Sequence, residues 1–173
     1  MSSPFKLLQT VGVLVSPVDA GATEAQLTDI EAAALAMGLQ VKVCNADTSA
    51  EINAAFEAMG RDRPDALFAG TTVFLNGRRV QLAQLAAFYR LPTIYGLRDY
   101  VEVGGLISYG GDIIDSHRQA GGYVGRILKG AKPAELPIVK AAKFELVINA
   151  QTARMLGLTV PSSLLGRADE IID

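Results

Sequence analysis

The chain has 173 residues, 50% of them hydrophobic and 20% charged, which fits one globular domain, or one with an appendage, and excludes a disordered or fibrous chain. Its 16 basic and 18 acidic residues leave a net charge of −2, with no basic stripe to offer a nucleic acid. No apolar run reaches the roughly 18 residues of a membrane helix, and the segment Met1 to Thr10 lacks the basic start and apolar core of a signal peptide.

Val11 to Val15 is an unbroken apolar run, as in a strand covered on both faces. Thr23 and Gln26 have the spacing of a capping box, and Leu27, Ile30, Ala34 and Met37 follow at helical intervals before Gly38. Leu39 to Cys44 reads as a second strand. Thr48 and Glu51 repeat the box ahead of a helix with Ile52, Ala55, Phe56 and Met59 on one face and Gly60 as its stop. Ala66 to Ala69 is a third strand. A third helix is expected from about Gly77 to Arg90, with Leu82, Leu85, Ala86 and Tyr89 inward, and Leu91 to Tyr95 is a fourth strand with Pro92 near its start or at an edge. Alternation of strand and helix across short loops predicts right-handed crossovers and an α/β fold with a parallel, doubly wound sheet.

The rhythm breaks at Arg98. Gly104-Gly105 precedes a short strand, Leu106 to Tyr109, and Gly110-Gly111 follows it. A helix of loose apolar face (Ile113, Ala120, Val124, Ile127, Leu128) is predicted from about Ile113 to Lys129, with Gly121-Gly122 allowing close helix packing. Residues 131–139 hold two prolines and read as an extended linker. Phe144 to Ile148 is a strand, Asn149 caps a short helix that Gly157 closes, and Pro161 blocks continuation of the strand that follows. The division is therefore 1–98, an α/β lobe, and 99–173, a crossover strand, return helix, linker and C-terminal strand-helix segment that belongs against a second sheet.

Little here announces catalysis. Cys44, the single cysteine, reads as a small buried hydrophobe, and the single histidine, His117, as a surface residue at a helix start. No nucleophile elbow, phosphate-loop spacing or metal-ligating cluster occurs, so neither metal nor cofactor is expected. Arg78-Arg79 reads as a solvated helix start.

The stretch Lys143-Phe-Glu-Leu-Val-Ile-Asn149, then Ala153, Leu156-Gly-Leu-Thr-Val-Pro161 and Arg167-Ala-Asp-Glu170, resembles the C-terminal signature of the ABC transporter substrate-binding proteins of the aromatic or branched amino-acid type, which are type I periplasmic binding proteins. Further matches in order are Val13-Leu-Val-Ser-Pro17, Asp65-Ala-Leu67, Leu91-Pro-Thr-Ile-Tyr95, Gly104-Gly-Leu-Ile-Ser-Tyr-Gly110, Ala120-Gly-Gly-Tyr-Val124 and Ile127-Leu-Lys-Gly-Ala-Lys-Pro133. The resemblance implies a flavodoxin-like lobe, a non-catalytic solute-binding role beside an ABC permease, and a periplasmic location, although a chain expressed as it stands would stay in the cytoplasm. Family members carry a first lobe of similar size. Phe5 to Gln9 resembles the end of the helix leading out of it, so this chain resembles the C-terminal half.

Ligands of open parallel sheets sit beyond the carboxyl ends of the strands. Four loops qualify: Ser16-Pro17-Val18-Asp19, Gly70 to Phe74, Gly96 to Asp99, and Ser108 to Asp112. A small polar ligand such as an amino acid needs a carboxylate cradle, which Ser16, Thr71 and Thr72 with backbone N–H groups could supply. Asp19 or Asp112 could meet an ammonium group, and Phe74 or Tyr109 could wall the side chain. The competing reading makes Ser16, Thr71 and Thr72 turn or cap residues and Asp19 a solvated loop acid. The resemblance favours the Ser16-Pro17 turn, the Thr71–Phe74 loop and the Tyr109-Gly110 turn. A small flavodoxin-like enzyme or signalling domain is the alternative, but Ser16-Pro17 stands where a phosphoacceptor domain needs acids. Without its first lobe the chain should leave the strand at 106–109 and the helix after it uncovered, and a homodimer is expected to cover them.

Overall fold

The computed structural model describes residues 8–18, 20–137 and 144–173. Residues 1–7, Asp19 and residues 138–143, with the expectations that fall on them, lie outside the described residues.

Strand β1 (Thr10–Val15) leads through helix α1 (Ala20–Met37) to β2 (Gln40–Asn45), and α2 (Ser49–Asp62) leads to β3 (Ala66–Ala69). Two helices, α3 (Val73–Gly77) and α4 (Arg79–Phe88), precede β4 (Thr93–Tyr95), and a single turn, α5 (Asp99–Glu102), precedes β5 (Ile107–Gly111). Then come α6 (Ile113–Leu128), β6 (Phe144–Asn149), α7 (Ala150–Met155), α8 (Ser162–Leu165) and β7 (Glu170–Ile172). One sheet of seven strands results, in the order β2-β1-β3-β4-β5-β6-β7. β1 to β5 are mutually parallel, β6 runs antiparallel to β5, and β7 is parallel to β6.

The main buried cluster lies on one face of this sheet, while Val13, Val15 and Ile148 are buried on the other. Leu14, Leu67 and Tyr95 point from β1, β3 and β4 towards Ile52 and Phe56 of α2, Leu75 of α3, Leu82 of α4 and Tyr100 of α5, and all are essentially fully buried. Each such side chain withdrawn from water contributes about 1.5–3 kcal/mol before entropy is charged against it. Tyr95 and Tyr100 stack at 4.4 Å, and burial pushes both phenols well above their ordinary pKa.

Three local expectations are corrected. α1 begins at Ala20, so Thr23 lies inside the helix and Gln26 is not its capping partner. Thr23 instead donates its hydroxyl to the Ser16 carbonyl at 2.7 Å. Gly60 does not end α2, which runs to Asp62; a Cβ at Gly60 would lie 2.5 Å from the Tyr89 ring, so packing of α2 on α4 is what requires glycine there. The helix expected from about Gly77 forms as α4, but the loop expected over Gly70 to Phe74 gives way at Val73 to an additional short helix, α3, capped by Thr72.

The larger correction concerns the strands after residue 99. They do not belong to a second sheet: β5 pairs with β4 through Ile94–Ile107 and Tyr95–Ser108, and β6 pairs with β5 along its whole length. The break at Arg98 is only a shortened crossover. α6 is different. Asp112 caps it, yet it buries no residue, and Ile113, Ile114, Val124, Ile127 and Leu128 are all exposed. A Cβ at Gly121, Gly122 or Gly125 would meet nothing within 4 Å, so the close helix packing expected there is not made within the described residues.

Candidate functional site: the carboxyl edge of the sheet

The loops after β1, β3 and β4 and the end of β5 meet along one edge, and glycine is what lets them meet. Gly70 donates its N–H to the Leu14 carbonyl at 2.8 Å, and a Cβ there would lie 2.9 Å from that same oxygen. A Cβ at Gly96 would overlap the Thr71 hydroxyl, and one at Gly110 would overlap the Gly96 carbonyl. Any side chain larger than hydrogen would part the three loops. The outcome is a floor made mostly of backbone, with Thr71 at its middle.

Thr71 is held from outside the sheet. The Gln26 carboxamide accepts from the Thr71 N–H at 2.9 Å and donates to the Thr71 carbonyl at 3.1 Å, as a neighbouring strand would. With both backbone groups satisfied, the half-buried Thr71 hydroxyl is left beside Gly96 at the edge.

The other expected residues divide. Ser16 is fully buried and donates to Asp47 Oδ1 at 2.7 Å, and Asp47 also accepts from the Val18 N–H, so Ser16 closes its turn. Pro17 is exposed and borders a shallow hollow with Thr23, Leu27 and Asn45. Thr72 is buried and accepts from the Leu75 N–H at 3.3 Å, which is the capping role. Asp112 caps α6 by accepting from the Asp115 N–H at 2.9 Å.

The two expected aromatic walls stand apart. Phe74 packs on the core, with the Arg78 guanidinium 5.8 Å from its ring centre. Tyr109 projects from the face of β5 opposite to Ser108 and so opposite to the main buried cluster, and it stacks on Phe144 at 5.7 Å. Beside it lie Ile94, Ile107, Leu146 and Leu164, lining a hollow of 480 Å³. Gly110 belongs to the glycine floor, between Tyr109 and Asp112.

Sequence reasoning missed four residues that organise this edge. The spacing of Gln26 from Thr23 imitates a capping box. Asp47 stands before a cap and carries no motif. Arg98 forks to three carboxylates: Nε to Glu102 at 2.9 Å, Nη1 to Glu145 at 3.1 Å and Nη2 to Glu170 at 2.7 Å. Glu145 is buried, so Arg98 ties the β4–α5 loop to β6 and β7. These bonds, to Glu102 first and Glu170 next, hold its pKa above the ordinary arginine value. Phe144 carries no signal in the sequence beyond the start of a strand. Cys44 is half-buried on β2, where burial and then the Asp62 charge push its thiol pKa up, away from nucleophilic use.

Comparison with known proteins agrees with this architecture. A conserved domain protein from Vibrio cholerae is 26% identical, with a TM-score of 0.84 over 95% of this chain and 55% of that one. An ABC domain from Streptococcus pneumonia, solved in complex with L-Trp, is 28% identical, with a TM-score of 0.83 over 95% of this chain and 56% of that one. A ligand-free, open substrate binding protein with adhesive properties from Clostridium difficile shares the fold at 20% identity and a TM-score of 0.70, over 95% of this chain and 54% of that one. The chain thus spans about half the length of the solved structures it matches. No curated protein matches it. The family model for ABC transporter substrate binding proteins covers residues 4–172, and the chain belongs to that family.

Proposed function

We propose that this chain is a non-catalytic solute-binding lobe of an ABC importer, taking a small polar ligand such as an amino acid at the carboxyl edge of its sheet. The observation that carries the reading is the glycine floor: three loops drawn together around Thr71, whose half-buried hydroxyl lies beside Gly96 while its backbone groups are held by Gln26. Such a surface suits a zwitterion, because hydrogen bonds can meet its carboxylate without a buried counter-charge. The tryptophan complex of the Streptococcus relative supports the class of ligand. Of the residues first suggested, Thr71, Gly110 and Tyr109 remain the candidates for contact; Ser16, Thr72 and Asp112 act as supports, and Phe74 as packing beneath the loop.

The partners follow from the family: an ABC permease on the outer face of the membrane, and hence a periplasmic or extracellular setting. Docking would follow ligand-driven closure against the part of the relatives that this chain does not span. Where that part is absent, a second copy of the chain covers the exposed face of α6. Isothermal calorimetry with the 20 amino acids tests the ligand class. Heat is expected with at least one, the aromatic ones first, and the absence of heat with any amino acid or small polar metabolite would remove the proposal.

A further inference from the structure

Five helices end in the same backbone turn, in which two successive N–H groups reach back to carbonyls of the last helical turn. The second bond of each pair runs Leu39 to Ala34, Leu91 to Ala86, Gly105 to Tyr100, Ala131 to Arg126 and Leu158 to Ala153. The turn needs a left-handed residue. Gly38, Gly104, Gly130 and Gly157 fill it in four cases, with φ of 68, 100, 100 and 72°. In the fifth the residue is Arg90, at φ 53°. The C-cap of α2 is also left-handed and also arginine: Arg63, at φ 48°, donating its N–H to the Met59 carbonyl at 2.7 Å. Non-glycine residues avoid this conformation, and no other described residue with a side chain adopts it.

Both exceptions line one pocket. It has a volume of 420 Å³ and lies between the ends of α2 and α4, with Pro64, Phe88 and Tyr89 also on its walls. Arg63 and Arg90 stand just before β3 and β4, so the pocket is at the amino edge of the sheet, opposite the glycine floor. Among the described residues neither arginine has an acidic partner, whereas Arg98, Arg118 and Arg154 each do. Phe88 is 77% exposed yet set edge-on against Tyr89 at 5.0 Å, and Tyr89 in turn stacks on Phe56. A large apolar ring is thus held out to solvent on a rigid backing beside two free guanidinium groups. The ends of two helices contribute about half a negative charge each, which would disfavour an anion, but two full positive charges outweigh them.

We propose that this pocket binds a small molecule with an anionic head group, carboxylate or phosphate, on a flat apolar body. The head group is clamped by the forked donors of Arg63 and Arg90, and the body lies on Phe88. This site is independent of the solute site at the opposite edge. Strained arginines in place of glycines are explained by the clamp, since the turns themselves would be easier with glycine.

The test is amide NMR of the whole chain titrated with benzoate and, separately, with phenyl phosphate, with benzyl alcohol as the uncharged control. Saturable shifts are expected at residues 60–64 and 88–91 with one or both anions, and none there with the alcohol. Whichever anion binds tighter identifies the head group. Arg63→Gly/Arg90→Gly should lower affinity at least tenfold while its melting temperature holds or rises, because glycine relieves both left-handed positions. Phe88→Ala should weaken binding with the arginines intact. Silence with both anions, equal response to the alcohol, or unchanged affinity in the double glycine variant would overturn the proposal. So would a double variant that melts lower than the parent, since the arginines would then be structural.

Discussion

Gln26 and Thr71, 45 residues apart, are joined by a pair of hydrogen bonds of 2.9 and 3.1 Å in which a side-chain amide takes the place of a backbone partner. One helix thereby fixes the central loop of the proposed ligand edge. Gln26→Ala leaves both Thr71 backbone groups without their partner, which costs about 1–3 kcal/mol. Because the loop reaches solvent, the larger effect is expected on ligand affinity, through lost preorganisation. Thermal melting and calorimetry on the same variant check this. A fall in affinity beyond the change in stability is the expected result, with partial rescue by Gln26→Asn excluded because its amide is one methylene short.

The glycine contacts predict an asymmetry. The obstacle to a Cβ at Gly96 is the Thr71 hydroxyl, whereas the obstacle at Gly110 is the backbone carbonyl of Gly96. Gly96→Ala and Gly110→Ala should each destabilise by about 1–3 kcal/mol from overpacking. Adding Thr71→Ala should restore most of the loss at Gly96 and none at Gly110. Denaturant melts of the two single and two double variants decide it, and equal rescue of both would show that the loops move as one body.

Much of the first half was legible because each signal there is local. The run Val11 to Val15 is a buried parallel strand, and Thr48 does accept from the Glu51 N–H at 3.2 Å. The capping box at Thr23 misled because the same residue types serve long-range contacts: Thr23 reaches back to Ser16, and Gln26 across to Thr71. The second half was harder, since β5, β6 and β7 join the first sheet through pairings that no period or turn motif encodes. In the candidate site, loops could be chosen from strand order, but the caps at Thr72 and Asp112 and the opposite facing of Phe74 and Tyr109 depend on register. The charge fork of Arg98 brings together residues separated by up to 72 positions, beyond any spacing rule.

Arg98 should act as the clasp of the C-terminal strands. Its Glu145 partner has a side chain only 11% exposed, whereas Glu102 and Glu170 are about half exposed and contribute less. Arg98→Ala strands the Glu145 carboxylate and should cost about 1.5–3 kcal/mol. Hydrogen exchange is expected to accelerate in β6 and β7 while β1 to β3 keep their protection. Uniform acceleration through the sheet would mean that Arg98 supports the whole fold instead.

The uncovered α6 predicts association. Ile113, Ile114, Val124, Ile127 and Leu128, the last 82% exposed, are left uncovered along this helix. A face of several hundred Å² approaches the ~800 Å² per partner of a stable interface. Sedimentation at micromolar concentration should find a dimer, and Ile127→Glu/Leu128→Glu should return it to monomer without loss of the sheet's circular dichroism. A monomeric parent would contradict this.

The central claim, a solute site at the carboxyl edge, is tested most directly by amide NMR of the intact chain titrated with L-tryptophan and with an unrelated sugar. The account predicts saturable shifts at Thr71, Gly96, Leu97, Tyr109 and Gly110 with an amino acid, lost in Gln26→Ala. Shifts confined to other surfaces, or no response at that edge to any amino acid, would contradict it.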